Sequence, residues 1–196
     1  MALFYLIRHA TNDLVGKAIA GRGQGIHLNE PGREQAERLA EKLANCGITR
    51  IFSSPLERAQ ETAAPLARIL NLKIHILEAI QEIDFAGWTG RTFAELQQDA
   101  DWRRWNSFRL GARVPDGETI LEVQARMVGA IRQLWQKFPN ETIAVVSHGD
   151  PIHTIIYYYL GVSMDFVHRV EISPASYTVL KLEEWSPQIL ALNVTV

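Results

Sequence analysis

The sequence predicts an α/β fold: a three-layer α/β/α sandwich with a mostly parallel central sheet and a small helical lid insertion. Three observations point there. Short, unbroken apolar runs such as Leu3 to Ile7 (LFYLI) have the length and character of strands buried on both faces. Amphipathic stretches with apolar residues at helical spacing lie between these runs. The two kinds of segment alternate along the chain, as in βα units. A chain of 196 residues with 47% apolar content is long enough to bury one substantial core, so residues 1–196 read as a single domain.

Each element has its own signal. LFYLI opens the sheet, and a helix is predicted over about 31–46, with Ala36, Leu39, Ala40 and Leu43 on one face. The short strand TRIF (49–52) follows. A helix from Pro55 then turns Ala59, Ala63, Leu66 and Leu70 inward, and Pro65 should kink it or end it early. Ser54-Pro55-Leu56-Glu57 has the form of a capped start, with Ser54 as N-cap and Glu57 completing a capping box. KIHIL (73–77) is a further strand. The segment 86–117, richer in Gly, Trp and Arg, reads as short helices and loops forming the lid. The longest helix spans about 118–138, followed by strand TIAVVS (142–147) and a helix over 151–160 that Asp150-Pro151 should cap. SYTVLKL and ILALNV end the chain as two strands, a hairpin around Ser186-Pro187.

Composition excludes several classes. A formal charge of −2 does not suit a general nucleic-acid or membrane-surface binder, and no apolar run reaches the ~20 residues of a membrane helix. The first residues carry no basic stretch and turn charged too early for a signal peptide, so the expected location is cytoplasmic. The one cysteine, Cys46, precludes an internal disulfide or a cysteine-based metal cluster and is expected to be a buried structural thiol.

Ligands of open α/β sheets bind beyond the carboxyl ends of the strands. LFYLI is followed there by Arg8-His9, TRIF by Ser53-Ser54 and then Arg58, and TIAVVS by His148-Gly149-Asp150-Pro151. Two arginines and two histidines from three separate segments thus fall at one sheet edge. His148 lies at a helix start, and Gly149 lets the backbone approach a ligand closely, so the edge favours an anion of phosphate size. Flanking positive charge disfavours protonation of a histidine, and a neutral imidazole is a nucleophile. Arginines suit the oxygens of a transferring phosphoryl group. Glu78, Glu82 and Asp84, all beyond KIHIL, are candidates for the proton donor.

The sequence resembles the histidine phosphatase superfamily, the phosphoglycerate-mutase-like proteins. LIRHATN resembles the family's Leu-Val-Arg-His-Gly-Glu-Thr signature; HLNEPGREQAERLA and IFSSPLERAQETA resemble its second and third blocks. EIDFAGWTG corresponds to the Glu-x-x-Phe-Gly-x-Trp-x-Gly segment, PDGETILEVQARM to Pro-Gly-Gly-Glu-Ser, and VVSHGD to the final histidine motif. The six motifs occur in the family's order over nearly the whole chain. The resemblance implies that His9 attacks phosphorus to give a phosphohistidine, that Arg8, Arg58 and His148 hold the phosphoryl oxygens, and that Glu82 protonates the leaving alcohol. It implies no metal and no organic cofactor. Asn12 and Arg22, the latter in the glycine-rich loop AGRGQG (20–25), are expected with Gly149 on the substrate side. Ala10 and Ala86 stand where the family has glycine, and Thr11-Asn12 replaces Glu-Thr.

The expected activity is metal-independent hydrolysis of small phosphate monoesters. The expected partner is a small phosphorylated metabolite, and a homodimer is compatible with these features. The alternatives are a cofactor-dependent phosphoglycerate mutase, for whose shielding insertion the stretch between Gly90 and Asp116 leaves little room, and a non-catalytic phosphate-binding module, which the intact set of site residues disfavours. Plainer readings hold elsewhere: Trp102, Trp105 and Phe108 as lid packing, Arg103, Arg104, Arg109 and Arg113 as an exposed basic face, and His153 as a residue turned away from His148.

Overall fold

The computed structural model describes all 196 residues. Strands β1 (Ala2–Arg8), β2 (Arg50–Ser53), β3 (Ile74–Ile76), β4 (Thr142–Ser147), β5 (Tyr177–Leu182) and β6 (Gln188–Val194) form one sheet in the order β3-β2-β4-β1-β5-β6. The first four in that order run parallel; β5 and β6 are antiparallel and form the expected terminal hairpin.

Side chains of the central strands divide by alternation. Phe4 and Leu6 of β1, with Ile143 and Val145 of β4, join the larger core with helices α5 (Ile120–Lys137) and α6 (Gly149–Leu160). Ile7, Ala144 and Val146 instead face helices α1 (Glu30–Leu43) and α2 (Glu57–Leu70), against Leu39, Leu43, Ala63 and Leu66. The result is helix, sheet, helix. Each fully buried Leu, Ile or Phe here contributes about 1.5–3 kcal/mol of apolar transfer.

Register sets the functional edge. Arg8 pairs with Ser147, and Ser53 pairs with Val146, so β1, β2 and β4 end side by side. His9, Ser54 and His148 are the next residues of their segments.

Several expectations change. Ser54 does not cap α2; the helix begins at Glu57 with Leu56 as its uncapped N-cap. Asp150 does not cap α6, whose N-cap position is His148 itself. α2 runs through Pro65 to Leu70. The segment 86–117 contains the short helices α3 (Phe93–Leu96) and α4 (Ala100–Ser107), and it packs Trp88, Leu96 and Trp105 into the larger core. Trp102 sits edge-on to Trp88, as lid packing requires, but Phe108 is exposed. Arg109 is buried under this segment, not on a basic face. Cys46 is half-buried rather than buried.

Candidate active site

The converging strand ends line a cavity of about 210 Å³ that includes Arg8, His9, Asn12, Glu82, Gly149 and Asp150. Each polar group is held by local structure. His9 Nδ1 lies 2.7 Å from the Ala10 carbonyl, which can only accept, so Nδ1 carries the hydrogen and Nε2 is left as the free lone pair. The Ala10 amide donates to Thr62 Oγ1, and that hydroxyl donates to the Arg58 carbonyl, which ties the end of β1 to α2. Arg58 is fully buried; one Nη donates to the Gly21 carbonyl at 2.7 Å, while Nε and the other Nη have no partner. Arg8 donates to the Ile172 carbonyl and leaves Nε unpaired. A Cβ at Gly149 would stand 3.4 Å from Arg8 Nε, an ordinary contact, so Gly149 lies directly against the Arg8 guanidinium.

His148 is fully buried, with Nε2 2.8 Å from Ser54 Oγ. Ser54 Oγ accepts from the Leu56 amide and is free to donate its own hydrogen to His148 Nε2. In that tautomer Nδ1 carries the ring hydrogen; it has no partner and lies 4.0 Å from Glu82 Oε2. The other Glu82 oxygen accepts from the Ile83 amide at 2.9 Å.

Burying two guanidinium groups beside unpaired donors costs several kcal/mol per ion unless an anion compensates. The orphaned Nε of Arg8, Nε and Nη1 of Arg58, Nδ1 of His148 and Nδ2 of Asn12 are all donors, a set that suits an oxyanion. Burial, then Arg58 and Arg8, push the His9 pKa down to about 3, so the ring is neutral at physiological pH. Burial first, then Arg58, also holds His148 well below the usual histidine range. Glu82 moves the other way: burial, then the Asp150 charge, raise it to about 7 against the opposing pull of the Ile83 amide, Arg58 and Arg8. A neutral nucleophile beside a carboxyl poised near 7 is a pair suited to general acid–base chemistry.

The structure brings together Arg8, His9, Asn12, Arg58, Glu82, His148 and Gly149. It corrects Arg22, which does not face the cavity. Its Nε donates to the Glu82 carbonyl at 3.0 Å, and an Nη donates to Glu118 at 2.9 Å, so it anchors the Glu82 loop. Arg126 does the same from α5, donating to the carbonyls of Ala79, Gln81 and Glu82 and to Glu118. Sequence reasoning missed Ser54 as the partner of His148, Arg126 as an anchor, and Asp150 and His153 as cavity walls. His148 is the N-cap of α6 and His153 lies within the helix, so the two are not an i, i+4 pair, yet His153 still lines the cavity. Ala10 is not among the residues with positive φ, so alanine fits there, whereas Ala86 takes a left-handed φ of 41°.

Comparison with known proteins agrees with this geometry. The family described as histidine phosphatase superfamily (branch 1) matches residues 4–195. Phosphoserine phosphatase 1 of Hydrogenobacter thermophilus is 32% identical over 200 residues, covering 100% of this chain and 93% of that protein. A probable phosphoglycerate mutase, GpmB, of Yersinia pestis is 28% identical over 187 residues, covering 94% of this chain and 86% of its own. The crystal structure of a phosphoserine phosphatase mutant from Entamoeba histolytica in complex with phosphoserine superposes with a TM-score of 0.90 at 28% identity, over 98% of this chain and 97% of that one. With a family match over almost its whole length, the chain belongs to the histidine phosphatase superfamily, and its chemistry is that of a phosphoric monoester hydrolase.

Proposed function

We propose that the chain hydrolyses small phosphate monoesters without a metal, by passing the phosphoryl group to His9 Nε2 and then to water. The observation that carries this reading is the neutral His9 ring, fixed through Nδ1 to the Ala10 carbonyl and surrounded by unpaired donors. Arg8, Arg58, His148 Nδ1 and the Asn12 amide receive the phosphoryl oxygens and the charge that develops on them. Nε2 attacks phosphorus as the P–O ester bond breaks, and protonated Glu82 delivers its hydrogen to the departing alkoxide. Glu82, now a carboxylate, takes a proton from water. The resulting hydroxide attacks phosphorus, the N–P bond breaks, and phosphate leaves with His9 and Glu82 restored.

The cavity, at about 210 Å³, is smaller than the ~300–1,000 Å³ of pockets for drug-sized ligands, which supports a small metabolite as substrate. Relatives named for phosphoserine make that compound the first substrate to test. Phosphate release from phosphoserine, phosphoglycerates and sugar phosphates in EDTA tests the proposal: turnover is expected on at least one of them, and strict metal dependence overturns it. With 3-phosphoglycerate, free phosphate supports hydrolysis, whereas 2-phosphoglycerate identifies a mutase. No helix of the chain is long and apolar enough to cross a membrane.

A further inference from the structure

The loop from Asn12 to Gly21 starts and finishes at the phosphoryl site. At its start, Asn12 Oδ1 accepts from the Leu14 amide at 3.0 Å, and the unpaired Nδ2 is one of the donors available to an oxyanion. At its end, the Gly21 carbonyl accepts from Arg58 at 2.7 Å. With both ends held there, the residues between them stand beside the phosphoryl pocket. Leu14, Val15 and Ile19 of this loop line the cavity, as do Phe85 and Phe93 of the neighbouring segment.

This apolar wall is already built. The Ile19 amide donates to the Arg91 carbonyl at 3.0 Å, the Gly90 amide to the Ile19 carbonyl at 2.7 Å, and the Phe93 amide to the Lys17 carbonyl at 2.9 Å. Phe85 is set edge-on to Trp105 at 6.3 Å between ring centroids, and Phe93 stacks on Trp102 at 6.1 Å. A wall fixed in this way costs little ordering when a ligand arrives. Leu14, Val15 and Phe93 are only half-buried, so apolar surface remains for a ligand to cover.

The charges around the cavity show what this side does not receive. Arg8, already given to the phosphoryl oxygens, is the one arginine that lines the cavity, and no lysine lines it. His153 is neutral through burial and has Nε2 2.8 Å from the Val170 carbonyl. Asp150, another lining residue, is paired with Arg109 at 3.2 Å. A carboxylate on the leaving group would therefore leave water for an apolar wall and the Asp150 charge, with no free cation to meet it.

We propose that Leu14, Val15, Ile19, Phe85 and Phe93 form an apolar subsite for the leaving alcohol, so that phosphate esters of uncharged, apolar alcohols are preferred over esters of hydroxy acids. The proposal rests on the phosphatase reading above and names the substrate class of the same site.

The test compares kcat/KM for ethyl phosphate, n-butyl phosphate and the phosphate ester of 4-hydroxybutanoate, in which a carboxylate replaces the terminal methyl of the butyl chain. Ethoxide and butoxide are leaving groups of nearly equal basicity, so the contribution of Glu82 cancels between them. The wild type is expected to favour butyl over ethyl phosphate by about tenfold, the scale of two methylenes leaving water. The carboxylate ester is expected to fall about tenfold or more below butyl phosphate. Leu14→Ser and Phe93→Ala are each expected to lower the butyl-to-ethyl ratio several-fold, mainly through KM for the butyl ester. A general loss of activity in either variant affects both esters and leaves the ratio unchanged. Equal use of butyl and ethyl phosphate, a ratio that neither variant lowers, or a carboxylate ester used as well as butyl phosphate overturns the subsite and leaves the phosphatase reading standing. Failure to hydrolyse any phosphate monoester, p-nitrophenyl phosphate included, overturns both.

Discussion

Ser54 Oγ lies 2.8 Å from His148 Nε2, and a hydrogen donated across this contact holds His148 in the tautomer that presents an N–H from Nδ1 to the cavity. Ser54→Ala removes the hydrogen that fixes this tautomer. The expected result is a drop in kcat on the order of tenfold with little change in thermal stability, and substantial recovery in Ser54→Thr. Steady-state kinetics beside a melting curve check it; unchanged kcat in Ser54→Ala contradicts the tautomer assignment.

On the proposed mechanism Glu82 sets the alkaline limb of the pH profile. A carboxyl raised to about 7 holds its proton below that pH and loses it above, so its capacity as an acid falls as pH rises through 7. For alkyl phosphates, whose leaving groups need a proton, kcat is expected to decline above about pH 7. Aryl phosphates, with better leaving groups, should decline much less. Glu82→Gln should remove the difference between the two profiles. His9 protonates only near pH 3 and so does not limit this range. Parallel profiles for both ester classes in the wild type contradict the acid role.

Glu118 couples stability to the placement of Glu82. It accepts from Arg22, from Arg126 and from the Asp84 amide, while both arginines also hold the Glu82 carbonyl. Glu118→Ala leaves two half-buried cations without their shared carboxylate. A loss of about 1–3 kcal/mol is expected, below the full cost of breaking a deeply buried pair. That corresponds to about 2–4 °C of Tm per kcal/mol for a chain of this size. Turnover of alkyl phosphates should fall more than turnover of p-nitrophenyl phosphate, because a loosened acid matters most where a proton is needed.

Ala86 is strained. Its φ of 41° is left-handed, a conformation that costs a residue with a Cβ about 1–2 kcal/mol and glycine very little. Part of the gain from Ala86→Gly is offset by the greater freedom of glycine in the unfolded chain, about 0.5–1 kcal/mol. The net expectation is a stabilisation of up to about 1 kcal/mol, read as a rise in Tm; a fall in Tm contradicts it.

The site was legible in the sequence as far as strand ends could show it. An apolar run ending in Arg8-His9, and a second ending in His148-Gly149, already implied one sheet edge, and parallel register makes those ends neighbours. The readings that failed depended on where single side chains turn. Ser54-Pro-Leu-Glu57 has the composition of a capping box, but its hydroxyl is taken by His148 and the helix starts later. Arg22 follows a glycine in a loop near the site, but three nearby acceptors (the carboxylates of Asp84 and Glu118 and the carbonyl of Glu82) draw it away from the cavity. Arg109 looked like one of several exposed cations, and only the packing of Trp105 and the position of Asp150 show why it is buried. His27 pairs with Glu61 across 34 positions, a contact that only the folded chain brings together.

The most direct test of the central claim is covalent. Brief mixing with a phosphorylated substrate followed by a denaturing quench should trap label on the protein that survives base, is released by acid, and maps to His9. Label that is absent from His9→Ala but retained in a variant impaired at Glu82 is the predicted result. Label that persists in His9→Ala, or that maps to any other residue in the wild type, contradicts the account.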